Sequence, residues 1–185
     1  GSNFRPEDYV RAVARAREYI FAGDIFQVNL TQRFEAPLTT DPLSLYLRLR
    51  RLNPAPYAAY LNPPGMAVAS SSPERFLCLR GRRVETRPIK GTRPRGTDPA
   101  SDRALKRELW ASEKDRAELA MIVDLERNDL GRTCEIGSVR VQRLYCLEAY
   151  ATVFHLVATV VGTLAPGRDF LDCLAGCFPG GSITG

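Results

Sequence analysis

No stretch of this 185-residue chain is apolar enough, for long enough, to cross a bilayer, and no signal-peptide pattern opens it. Gly1-Ser2 reads as a cloning scar. Among five cysteines, an odd number, there is no Cys-x-x-Cys pair, which argues for reduced, cytoplasmic thiols over a disulfide framework. Cys173 and Cys177 lie four apart on an expected helix and suit a shared core face better than a metal site. There is one histidine, His155, and it falls inside the apolar run Val153 to Val161, where a satisfied core role competes with a catalytic one. Internal repeats, low-complexity segments and linkers are absent, so the length fits one domain or part of a larger one.

Positive charge is present but confined. From Arg80 to Arg95 there are seven basic side chains against the single acid Glu85, while the whole chain carries only +5. The remainder is therefore close to neutral, and the cluster is a local feature suited to a small anionic substrate. It has no interleaved aromatics and no base-reading motif, which sets nucleic-acid binding aside. Gly91 and Gly96 have the spacing of a phosphate-binding loop, but Thr97-Asp98 follows in place of Lys-Ser/Thr. The segment Arg87-Pro88-Ile89-Lys90-Gly91-Thr92-Arg93-Pro94-Arg95-Gly96 reads as a stiff cationic turn around one lysine.

The patterning predicts an amphipathic helix from Pro6 to Ala22, with Tyr9, Val10, Val13 and Ile20 buried and Gly23 as its stop. Ile25 to Glu35 alternates, which predicts a strand with Phe26, Val28, Leu30 and Phe34 on one face. The polar row Gln27, Asn29, Thr31 and Arg33 then meets either solvent or a pocket. A helix runs from the Asp41 cap to Leu52. Strands follow at Tyr57–Leu61, Met66–Ser70, Arg75–Leu79 and Val84–Ile89. Helix is expected from Ala100 to Leu130 with a break near Ser112, then strands at Ser138–Arg143 and Thr152–Leu164. A last helix from Asp169 to Cys177 leads into a glycine-rich loop. Strands and helices arrive in blocks, which predicts an α+β fold.

Several residues carry candidate chemistry. Lys90 becomes a nucleophile only when deprotonated, and Arg87 and Arg93, three residues to either side, disfavour its charged form; an anion-binding or surface lysine is the alternative. Glu74, at a strand entry, is an acid/base candidate or the ion-pair partner of Arg75. Asp115 and Glu118 share a helix face and could recruit Mg²⁺, or could be a solvated face beside Lys114 and Arg116. Asp124 and Asp129 are equally ambiguous. Backbone N–H groups and the hydroxyls of Ser182 and Thr184 in the final glycine-rich loop suit a carboxylate.

Taken in order, Ile25-Phe26-Gln27-Val28-Asn29-Leu30, Ser72-Pro73-Glu74-Arg75-Phe76, Pro88-Ile89-Lys90-Gly91-Thr92, Asp115-Arg116-Ala117-Glu118, Met121-Ile122-Val123-Asp124-Leu125, Arg127-Asn128-Asp129 and Gly180-Gly181-Ser182-Ile183-Thr184-Gly185 are specific. From Phe4 to Gly185 the chain resembles the chorismate-binding domain of the anthranilate synthase and aminodeoxychorismate synthase large subunits. The resemblance implies two packed, mainly antiparallel sheets with helices outside.

Lys at position 90 is typical of the aminodeoxychorismate synthase branch, whereas anthranilate synthases usually carry Ala there. The resemblance therefore implies chorismate plus ammonia giving 4-amino-4-deoxychorismate for 4-aminobenzoate and folate, with ammonia from a glutamine amidotransferase. Lys90 would form a covalent intermediate, Glu74 would handle protons, and His155 would lie beside the substrate. Gln27, Gly91, Thr92, Gly181, Ser182 and Gly185 would bind the substrate, with Glu118 and neighbouring Asp115 at Mg²⁺. Gln27 stands where isochorismate and salicylate synthases carry a water-activating Lys, and an amide is no base near neutral pH. In the family the domain continues past Gly185 into further substrate and metal residues. The expectation is thus an incomplete domain, inactive by itself.

Overall fold

The computed structural model describes residues 1–184. Helix α1 spans Pro6–Ala22, with Pro at its first turn, Glu7 and Asp8 facing the positive helix end, and Gly23 closing it at φ 81°. Helix α2 (Pro42–Leu52) starts at Asp41, whose carboxylate accepts from the Ser44 amide. Ser112 ends α3 (Pro99–Ala111) and caps α4 (Glu113–Gly131), so one serine makes the expected break between them. Asp98 and Asp169 each close a capping box, at the starts of α3 and α5 (Phe170–Cys177).

Seven strands form two antiparallel sheets, the α+β class expected. Strands β1 (Tyr57–Leu61) and β2 (Val68–Ser72) make the smaller, beside α2, with the rings of Tyr46 and Tyr60 5.6 Å apart. The larger is organised on β7 (Val153–Thr163). Strands β4 (Arg83–Arg87) and β5 (Ile89–Pro94) lie end to end along one edge of β7. Arg83 faces Thr163, Thr86 faces Val160 and Ile89 faces Val157, in one continuous register across Pro88. Strand β6 (Arg140–Ala149) occupies the other edge, and β3 (Arg75–Arg80) pairs outside β4.

Central placement explains the sequence of β7, since a strand covered on both faces has no polar row to show. Phe154, Leu156, Ala158 and Val160 point toward α3 and α4, where they join Leu109, Leu119, Val123 and Leu130 in the core. Each such side chain contributes about 1.5–3 kcal/mol when fully buried. Helix α5 packs on the far side of α4.

Four expectations are corrected. The strand over Ile25–Glu35 does not form: the segment is extended, and its pairing is confined to an isolated bridge of Phe34 with Ser2, closed by backbone hydrogen bonds from the Asn3 amide to Arg33 and from the Glu35 amide to Gly1. The apolar stripe of α1 is present but uncovered, with Val10 65% exposed and no residue of the helix buried. The cationic turn is mostly strand, because Pro88 interrupts the pairing with β7 without ending it. Within the glycine-rich loop, Gly181–Thr184 makes a single helical turn, α6. Smaller shifts move β2 two residues later and lengthen β6 to Ala149. Gly185 lies outside the described residues.

Leu156→Ala, at the centre of the core, is expected to cost about 2–5 kcal/mol in urea unfolding. Phe21→Ala, on the uncovered face of α1, should stay within about 0.5 kcal/mol.

Candidate active site

The break at Pro88 builds the site. A proline has no N–H, but its carbonyl still accepts from the Ala158 amide at 3.1 Å, so the strand stays seated on β7. The next amide, Ile89, donates to Glu74 Oε1 at 2.9 Å. Glu74 sits at the corner between the two sheets, where its own amide donates to Ser72 Oγ at 3.2 Å. The same Glu74 oxygen accepts from the Ser182 hydroxyl on α6 at 2.5 Å. Glu74 is thus held by a strand amide and a helix hydroxyl, and Arg75 pairs with Glu85 and lies over the Tyr57 ring. The reading of Glu74 as the ion-pair partner of Arg75 is therefore replaced.

Lys90 Nζ reaches the carbonyl of Ser182 at 3.5 Å. Asn29 donates to the Ile183 carbonyl at 2.8 Å and to that of Ser182 at 3.4 Å. Gln27 donates to Asn29 at 3.5 Å, so of the polar row it is Asn29, with Gln27 behind it, that meets α6, while Arg33 pairs with Glu35 and Phe26 is 74% exposed. A Cβ at Gly181 would lie 2.8 Å from Cδ2 of Leu125, so a side chain there would require Leu125 to move. Lys90, Glu74, Ser182, Gln27 and Asn29 converge on one turn of helix.

Thr92 and His155 form a second pair across the sheet. Gly91, at φ 79°, makes a bulge that pairs Lys90 with Leu156 but Thr92 with His155. The Thr92 hydroxyl lies 3.0 Å from His155 Nδ1, and the Tyr150 ring stands 5.3 Å away. Burial lowers the His155 pKa from its ordinary value, opposed by its hydrogen bond with the Gly91 backbone and by the charges of Glu74 and Glu148. A side chain at Gly91 would strike Asp115 and Leu109, both at 2.8 Å.

The arginines flanking Lys90 are engaged elsewhere. Arg87 pairs with Glu148: burial works to lower the Arg87 pKa, but the charge and hydrogen bond of Glu148, with smaller help from Tyr57 and Tyr150, leave it raised. Arg93 binds Glu108 and, at 3.2 Å, Asp115, which together raise its pKa. Neither is a bare cation on the amine, so the cationic activation expected from the spacing is not built here.

Asp115 and Glu118 fit Mg²⁺ only in part. Asp115 is committed to Arg93, and Glu118 contacts the exposed Lys114 at 3.7 Å. No group of three or more His, Cys, Asp or Glu side chains is arranged to hold a metal among the described residues. These two carboxylates do not by themselves make a metal shell. Asp124 pairs with Arg127, and Asp129 with Arg132 at 3.9 Å.

Known proteins share this sequence and fold. The family described as "chorismate binding enzyme" matches residues 1–185. The chain belongs to the chorismate-binding enzymes. Over 185 residues this chorismate-binding chain is 50% identical to anthranilate synthase component 1 of Streptomyces coelicolor, all of the chain matching 36% of that protein. It is 46% identical over 182 residues to aminodeoxychorismate synthase component 1 of Bacillus subtilis, 98% of the chain matching 39% of that protein. The crystal structure of anthranilate synthase component I from Streptococcus pneumoniae superposes with a TM-score of 0.88 at 34% identity, covering the whole chain and 40% of that structure. The chain therefore spans about two-fifths of the length of these relatives.

Two buried groups escaped the sequence reading. Glu126 on α4 is 8% exposed, and its carboxylate accepts from the Thr86 hydroxyl at 2.9 Å. Burial, with the charges of Glu74 and Asp129, raises its pKa from 4.5 to about 8 against the Thr86 hydrogen bond. Thr86 is the only polar member of the helix-facing row Val84, Thr86, Pro88, a faint signal of a polar partner opposite. Asn29 had been visible only as part of an alternating row.

The raised Glu126 pKa fixes a sign. Between pH 4.5 and 8 the folded chain holds a proton that the unfolded chain releases, so stability is full below this window and is lost as pH rises through it. Glu126→Gln should flatten that slope in urea unfolding at pH 5, 7 and 9, and should be more stable than the unchanged chain at pH 9.

Proposed function

We propose that the complete protein carrying this chain aminates chorismate to 4-amino-4-deoxychorismate through a covalent bond to Lys90. The observation that carries this reading is the meeting of the Lys90 amine, the Glu74 carboxylate and the Ser182 hydroxyl on one helical turn. In its neutral form the Lys90 nitrogen attacks ring carbon C2. The double bond shifts, and the C4–O bond breaks as Glu74 gives the departing hydroxyl its proton, releasing water. Ammonia then adds at C4, the double bond shifts back, the C2–N bond breaks, and Glu74 takes the ammonia-derived proton. One hard substitution becomes two easier ones.

Gln27 supports ammonia over water as the second nucleophile, because its amide offers no base at the place where water would be activated. His155 and Thr92 are read as a substrate-side pair, joined by Gly91, and the N–H groups of α6 with Gly181 and Ser182 as a carboxylate cradle. Ammonia would come from a glutamine amidotransferase subunit or domain in the cytoplasm. If Mg²⁺ takes part, Glu118 is its ligand in this chain, and it would neutralise a substrate carboxylate.

Anthranilate synthesis is the second reading, favoured by the 50% identity to a protein of that name. Incubating the complete enzyme with chorismate, ammonium and Mg²⁺ separates the two: aminodeoxychorismate is expected, and release of anthranilate with pyruvate would overturn the first reading. Lys90→Ala should abolish the mass adduct with chorismate and lower turnover at least about a hundredfold, a loss of roughly 2.7 kcal/mol of barrier reduction. Glu74→Gln should cost about 10²–10⁴ in kcat.

A further inference from the structure

We propose that Glu126 is a positioning residue for Glu74, the neutral half of a carboxyl pair whose ionisation closes the working range of the site on its alkaline side. The inference rests on the reading of Glu74 as the group that moves the proton at C4.

Both carboxyls line one cavity of about 230 Å³, together with Ser72, Phe76, Phe178 and Ser182. Its only cation, Arg75, is already paired with Glu85. Two carboxylates in one poorly solvated space do not both ionise freely, because each charge raises the proton affinity of the other. The structure distributes the roles. Glu74 receives two donors, the Ile89 amide and the Ser182 hydroxyl, whereas Glu126 is the more deeply buried and accepts from the Thr86 hydroxyl.

The groups facing Glu126 leave nothing to neutralise it. Strand β4 offers the hydroxyl of Thr86. The entry to β3 offers Glu74, then the apolar Phe76 and Leu77. Its own helix offers Asp129, and α5 offers the buried thiol of Cys177. Its pKa of about 8 accords with this setting. While Glu126 keeps its proton, it adds no charge to the cavity. Once it ionises, a buried negative charge faces Glu74 and an incoming anionic substrate, opposing binding. The Glu126 proton goes to solvent and takes no part in bond making.

The experiment uses the complete enzyme, with two readouts. In the pH profile of kcat/KM, Glu126→Gln is expected to move the alkaline limb upward by one pH unit or more, leaving activity at pH 9 about tenfold higher relative to its own optimum. Thr86→Val, which removes the donor that favours the charged form, should move the limb in the same direction. A purely structural loss would lower activity or stability without moving the limb. Carboxyl ¹³C titration by NMR gives the second readout, independent of turnover: Glu74→Gln should lower the Glu126 midpoint by half a unit or more. An alkaline limb unmoved by Glu126→Gln while aminodeoxychorismate is formed, or a Glu126 midpoint indifferent to Glu74→Gln, overturns the inference. A product other than aminodeoxychorismate overturns instead the functional reading on which it rests.

Discussion

A missing donor at Pro88 governs the site. From Arg83 to Arg93 every other residue has an amide to give, and the register with β7 runs on across Pro88 as though nothing were absent. What changes is local: the Ile89 amide goes to a carboxylate. The acid sits at a corner, but the amide that holds it belongs to a strand whose position follows from ladder pairing with β7, which makes the anchor rigid. Glu74 then fixes Ser182, and Ser182 fixes the turn to which Lys90 and Asn29 also reach. The order of dependence runs from sheet to carboxylate to helical turn to amine.

The second layer of control is electrostatic. The basic cluster looks in the sequence like a field around Lys90, yet in the fold its arginines are shared out. Arg75 goes to Glu85, Arg87 to Glu148, Arg93 to Glu108 and Asp115, and Arg95 to Asp102. Each exposed pair contributes little to stability. Their effect is to fix side-chain directions around β5 and to leave Lys90 facing the Ser182 carbonyl.

Sequence reading succeeded where information is local. Caps at Asp41, Asp98, Ser112 and Asp169 sit within three residues of the amides they bind, so helix starts were legible to within a residue or two. The motif around Lys90 and Glu74 was legible because its residues are close in the chain and match a known family. It failed where partners are far apart. Thr86 and Glu126 are separated by 40 positions and Asn29 and Ile183 by 154, and nothing in either neighbourhood names the other. The stripe on α1 and the alternation after Ile25 were read correctly as patterns. A pattern states that a face can be buried, not that anything within the described residues buries it.

The bulge at Gly91 gives one strand two audiences. Before it, Lys90 shares a row with the core-facing Leu156; after it, Thr92 shares the opposite row with His155. With backbone packed against Asp115 and Leu109 at the pivot, these two residues cannot trade faces by a small adjustment. Without the bulge, Thr92 would fall opposite Phe154 and on the same side of the sheet as Lys90, and its hydroxyl would part from the imidazole of His155.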